Sequence, residues 1–283
     1  MFHYIRKNPN KYTRYLEEEK FTSKLNFLKD KVSIPYAKKD FDKKFYWLTF
    51  DDALKEHFHI SNLLNEKNIK ATFFIPSMPY LRGEICLVHK AHILVERMGE
   101  KTFDHIKDYL GEKTFKSLCR EIPEHYKNSD HNNKIKLFKN FVNYSKDNWD
   151  KNEVLDRLIE RSGGCVKWND FYLSENEIKI MHNNGMEIGS HSHSHTLLSN
   201  LSKEDQEDEI RISTEFLKNL CGYKPSKFCY PYGRPESYNN ETINCLKKER
   251  YQMAVSIENK DIKLSDMINR PYELPRFDCK EFF

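Results

Sequence analysis

Six short apolar runs, most of them separated by helix-like stretches, restrict this chain more than any other feature. The runs are FYWLTF (45–50), ATFFI (71–75), MEIGS (186–190), KFCYP (227–231), QMAVS (252–256) and ELPRF (273–277). Several are nearly continuous in apolar residues, as strands covered on both faces are. Amphipathic segments at 54–68, 203–222 and 240–250 lie between them. Ser202 and Asp205 form a possible start signal for the second, and Gly222 a stop. Strand and helix alternating in this way predict a parallel α/β sheet or barrel.

One region breaks the alternation. From Pro76 to about Trp168 no run reads as a strand. Ile135, Phe138, Phe141 and Val142 mark one amphipathic helix, and Val154, Leu155, Leu158 and Ile159 mark another, ended by Gly163 and Gly164. A segment this long is not an ordinary loop. The expected organisation is a lead-in over 1–40, a core formed by 41–76 and 167–283, and a helical insertion over 77–166.

Three constellations carry chemistry. In TFDDA, Asp51 and Asp52 follow a predicted strand, at the end where parallel α/β proteins gather ligands. One carboxylate can bind a cation while the other stays free as a base; the alternative is a helix N-cap pair before LKEHF. In HSHSH, His191 and His195 share one face of a helical turn, and His191, His193 and His195 share one face of a strand. Imidazoles with a carboxylate suit zinc or a similar divalent ion, with positions left for water. In YPYG, Pro231 and Gly233 make a sharp turn. Backbone N–H groups in such a turn can also face a developing oxyanion.

Taken together and in this order, the three resemble the polysaccharide deacetylase family, the NodB-homology group of carbohydrate esterases. TFDDA stands for the family's T-F-D-D-G, HSHSH for H-S/T-x-x-H, CYPYG for R-x-P-Y/F, and ELPRF for the last strand, where L-x-H is usual. The resemblance implies a deformed (β/α)7 barrel, an α/β fold of about seven strands, here with a helical insertion. It implies Asp52, His191 and His195 as ligands of a divalent metal, with zinc expected, and Asp51 as general base. His193 falls on a variable motif position. It also implies hydrolysis of an N-acetyl group from an amino sugar, with the Tyr232 N–H at the oxyanion.

Two departures change the chemistry. Cys229 replaces the usual Arg, and Arg276 stands where the acid His belongs. Arginine cannot give up a proton near neutral pH. Arg276 either stabilises an oxyanion, replaces the missing arginine beside Asp51, or pairs structurally with Glu273 or Asp278. His89 and His92 in the insertion are candidates for the unassigned acid.

The balance of 47 Lys+Arg against 43 Asp+Glu, a net charge of +4, is too mild to argue for nucleic acid. No membrane span is expected, since no apolar run approaches about 18 residues. A charged amino terminus and seven cysteines in odd number lead to an expected cytoplasmic location with reduced thiols. The expected substrate is therefore an amino-sugar precursor in surface-glycan biosynthesis. A non-sugar linear amide is the alternative substrate, and an inactive sugar-binding relative the alternative class. Oligomeric state is left open.

Overall fold

A computed structural model describes residues 1–7, 15–35, 45–110, 133–144 and 150–281. The strands are β1 (Ile5–Arg6), β2 (Leu16–Glu17), β3 (Thr49–Phe50), β4 (Thr72–Ile75), β5 (Glu187–Ser190), β6 (Lys227–Cys229) and β7 (Met253–Val255). The helices are α1 (Glu18–Leu28), α2 (Glu56–Glu66), α3 (Met78–Arg82), α4 (Leu87–Met98), α5 (Lys101–Leu110), α6 (Asn133–Tyr144), α7 (Lys151–Arg161), α8 (Trp168–Phe171), α9 (Glu175–Asn183), α10 (Lys203–Cys221), α11 (Asn240–Lys248) and α12 (Leu264–Asn269). The described residues of 1–9, 15–84 and 168–283 form one compact unit, and those of 85–167 a second.

In the first unit, β3 to β7 make a five-stranded parallel sheet in sequence order. Each strand is shorter than the apolar run that contains it. One further residue bridges each edge in parallel: Phe2 beside Phe50, and Leu274 beside Val255. The Cys279 N–H donates to the Met1 carbonyl at 3.1 Å, so the first and last segments meet. The curled parallel sheet expected of the deformed barrel is thus present as five strands, fewer than the seven expected, with one bridging residue at each edge. The ELPRF run thus supplies only a bridge. Residues read as a lead-in supply the other edge, where Phe2, Phe50 and Phe73 stack with centroids 5.0 and 4.6 Å apart.

Local signals account for the helix ends. The Ser202 hydroxyl accepts from the Asp205 N–H, and Gly222 (φ 76°) closes α10 in the left-handed conformation that glycine adopts without strain. The α3 helix belongs to the first unit, because the Ser77 and Met78 N–H groups bond to the Ser192 and His193 carbonyls at 3.2 and 2.9 Å. The second unit therefore starts at Ile85 rather than at 77. There α4 packs against α6 and α7, and the apolar residues that marked those two helices in the sequence are all buried.

Candidate metal and active site

Beyond β3, Asp52 (φ 82°) and Ala53 (φ 56°) both take left-handed backbone. This sharp turn sends the two adjacent carboxylates to different partners. It also strains Ala53, because its Cβ crowds the backbone there. Helix α2 begins only at Glu56 and has no side-chain cap, so Asp51 and Asp52 are not its N-cap pair.

Asp52 Oδ1 lies 3.3 Å from His191 Nε2 and 3.1 Å from His195 Nε2. All three side chains are buried, with ligand atoms within 4.8 Å of one another. His191 Nδ1 lies 2.8 Å from the Cys229 carbonyl. A carbonyl only accepts, so Nδ1 carries the hydrogen and Nε2 is the atom turned to Asp52. A neutral His191 would then aim a lone pair at a carboxylate oxygen, an arrangement that calls for a cation or a proton between them. Burial alone would push the His191 imidazole down, but the Asp52 carboxylate it faces and the Asp51 carboxylate nearby carry it well above its ordinary range. Two imidazole nitrogens and one carboxylate oxygen fit a divalent ion with open positions.

Asp51 lies beside this cluster, its carboxylate within 4.8 Å of the His191 ring and of Cys229 Sγ, and makes a second contact of its own. Arg276 grips it bidentately, Nη1 to Oδ1 and Nη2 to Oδ2, each at 2.8 Å. The other three guanidinium hydrogens go to the Ser256 carbonyl (3.2 Å), Thr49 Oγ1 (3.0 Å) and Cys229 Sγ (2.9 Å). All five N–H donors are used, which leaves none for an oxyanion. Arg276 therefore stands beside Asp51 where the missing arginine would act, and its ion pair is with Asp51 rather than Glu273 or Asp278. Burial would raise the Asp51 carboxyl, but Arg276 outweighs it and holds the carboxyl far below the usual range. The Cys229 thiol, which donates to Asp51 Oδ2 at 3.4 Å, is pushed up by burial and stays protonated.

Tyr232 (φ 63°) and Gly233 (φ 66°) turn the chain after β6. The Tyr232 ring packs 5.3 Å from that of His195. A Cβ at Gly233 would meet Ile257 Cγ1 at 2.7 Å, so the turn admits no side chain there. Asp51, Asp52, His191, His195, Tyr232 and Arg276 are thus all drawn together within the first unit. His89 and His92 are not among them. They belong to α4 in the second unit, where His89 is buried and the two rings lie 6.0 Å apart.

His193 is buried and is not part of the cluster; its Nδ1 lies 2.8 Å from Ser77 Oγ. It ties the histidine loop to the start of α3. Two residues the sequence reading did not single out complete the site. Glu209 on α10 accepts the His193 and Ser194 N–H groups on Oε2 (3.0 and 2.8 Å) and the Ser194 hydroxyl on Oε1 (2.6 Å). His3 Nδ1 contacts Asp52 Oδ2 at 3.0 Å. An acidic residue on a charged helix face and a histidine near the amino terminus carry no motif that could have flagged them.

Glu209→Ala strips two backbone donors of their acceptor and should destabilise the protein by about 2 kcal/mol, at roughly 1 kcal/mol or more per unsatisfied group. Glu209→Gln keeps an acceptor oxygen for both N–H groups and should lose less than half as much. Urea unfolding of the two variants checks this; equal losses would mean that the carboxylate's charge, not its hydrogen bonds, secures the loop.

The polysaccharide deacetylase family model matches residues 141–254. The Bacillus subtilis protein YxkH, named as a polysaccharide deacetylase, is 33% identical over 87 residues, 31% of this chain and 30% of its own length. A peptidoglycan-N-acetylglucosamine deacetylase of Bacillus cereus is 32% identical over 87 residues, 29% of this chain and 30% of its own length. The matched stretch thus spans under a third of these relatives. Among solved structures, the Streptococcus pyogenes deacetylase PplD, solved with acetate, superposes with a TM-score of 0.57 at 15% identity, covering 98% of this chain and 88% of that one. This likeness shows the fold.

Proposed function

We propose, from the premise that this chain belongs to the polysaccharide deacetylase family, that it is a metal-dependent N-deacetylase of an amino sugar. The observation that carries the reading is the division of labour between adjacent carboxylates. Asp52 joins two imidazoles, while Asp51 is kept ionised and oriented beside them by Arg276. A binding module has no use for a second, oriented carboxylate at that place.

Asp52, His191 and His195 would hold the ion, with zinc our choice for a buried set of two imidazoles and a carboxylate. A divalent ion there supplies polarisation of the amide carbonyl and of water. Asp51 takes the proton of the attacking water as the new C–O bond forms. The Tyr232 N–H donates to the developing oxyanion. Arg276 keeps Asp51 in place and does not touch the reacting atoms. The same pairing that makes Asp51 a weak base makes its protonated form a strong acid. Asp51 can therefore pass the proton to the leaving nitrogen as the C–N bond breaks, which releases acetate and a free amine. No separate histidine acid is then required.

We further propose a soluble or lipid-linked precursor of a surface glycan as the substrate, handled in the cytoplasm. The test is mass spectrometry of acetate released from nucleotide-linked, lipid-linked and polymeric N-acetyl sugars, and from a non-sugar N-acetyl amide, by metal-loaded protein. Acetate from a linked precursor in preference to polymer is the expected result. Protein with stoichiometric metal that releases no acetate from any arm would sink the reading, and release from a non-sugar amide alone would replace it with the broader amidohydrolase.

A further inference from the structure

We propose that His3 is a positioning residue for the metal centre: through Asp52 Oδ2 it fixes the carboxylate so that Oδ1 faces both imidazoles. The inference rests on the reading of Asp52 as a ligand.

Three observations carry it. First, the contact is specific to one oxygen. His3 Nδ1 takes Oδ2 at 3.0 Å, while His191 and His195 Nε2 both approach Oδ1. A carboxylate bound through one oxygen is free to swing about its Cβ–Cγ bond unless its other oxygen is held. Second, His3 is itself held from both sides. The His57 ring Nε2 lies 2.8 Å from the His3 carbonyl, and the Phe2 N–H and carbonyl bond to Thr49 and Asp51 of the adjoining strand at 2.8 and 2.9 Å. Third, His57 is buried on α2 against Phe50 and Phe73, with centroids 5.6 and 5.8 Å away, so the support runs into the core. The segment that bridges the β3 edge of the sheet thus delivers a side chain to Asp52. Asp52 is met at Oδ2 by His3 and at Oδ1 by His191 and His195.

The experiment compares His3→Ala and His3→Asn. The Asn amide nitrogen stands where the ring Nδ1–H stood, so it preserves the hydrogen bond and removes the ring. Zinc affinity is measured by competition with a chromophoric chelator, and ligand geometry by the visible spectrum of the cobalt-loaded protein. His3→Ala should bind zinc about 10- to 100-fold more weakly, the usual scale for outer partners of ligands, with a changed cobalt spectrum. His3→Asn should keep most of the affinity and the wild-type spectrum. Thermal unfolding establishes that both variants are folded. Unchanged affinity and spectrum in His3→Ala would overturn the proposal. So would equal losses in the two variants, since the ring rather than its hydrogen bond would then matter. Failure of the parent reading shows separately, as Asp52→Ala that still holds metal.

Discussion

Asp51→Asn is expected to lower turnover by about 10²- to 10⁴-fold, the scale of losing a general base, while the metal ligands stay intact. The structure adds a cost in stability. Asn keeps the size of the side chain but leaves the buried Arg276 charge without its partner, and breaking a buried pair in this way costs about 3–5 kcal/mol. Adding Arg276→Met removes the stranded charge and should return much of that stability without returning turnover. The double-mutant cycle therefore separates the two roles of Asp51. It also has a pH signature. A carboxyl held low in the folded state contributes stability that is complete above its unfolded pKa, about 3.9, and is lost as pH falls through and below that value. Wild type should lose stability in that acid window more steeply than the double variant. Urea midpoints against pH and acetate release give the readouts. Near-normal turnover in Asp51→Asn removes Asp51 from the chemistry, and a double variant no more stable than Asp51→Asn removes the buried pair as the source of the loss.

Asp52→Ala, His191→Ala and His195→Ala are each expected to lose stoichiometric metal, and with it activity, because each removes one of the three ligands proposed among the described residues. The effect of His193→Ala should be different in kind. Its ring is turned to Ser77, so the variant gives up one loop contact and keeps its metal. In His191 the coordinating atom is fixed as Nε2, since its Nδ1 is committed to the Cys229 carbonyl. Metal content by mass spectrometry after exhaustive dialysis decides the matter. A His193→Ala protein as empty as His191→Ala would show that the loop, and not the three named atoms, determines binding.

The amino-acid sequence by itself determined what depends on near neighbours. Helix periodicity at 135–142 and 154–159, the Ser202 cap and the Gly222 stop all follow from contacts three or four residues apart. The order of apolar runs likewise anticipated the order β3 to β7, because parallel strands with helical crossovers sit beside their neighbours in sequence. The histidine loop was legible because His191 and His195 lie within one motif. Only the tertiary structure decided which charges meet. Arg276 reaches Asp51 across 225 positions, His3 reaches Asp52 across 49, and Glu209 reaches back 16 residues from the middle of an ordinary-looking helix. The first two pairings exist because Phe2 and Leu274 add the two edges of the sheet and bring the ends of the chain against β3 and β7. Nothing in the charge or spacing of ELPRF selects Asp51 over Glu273 as the partner of Arg276. Burial selects it, since an unpaired guanidinium at this buried position costs more than any surface pairing could return.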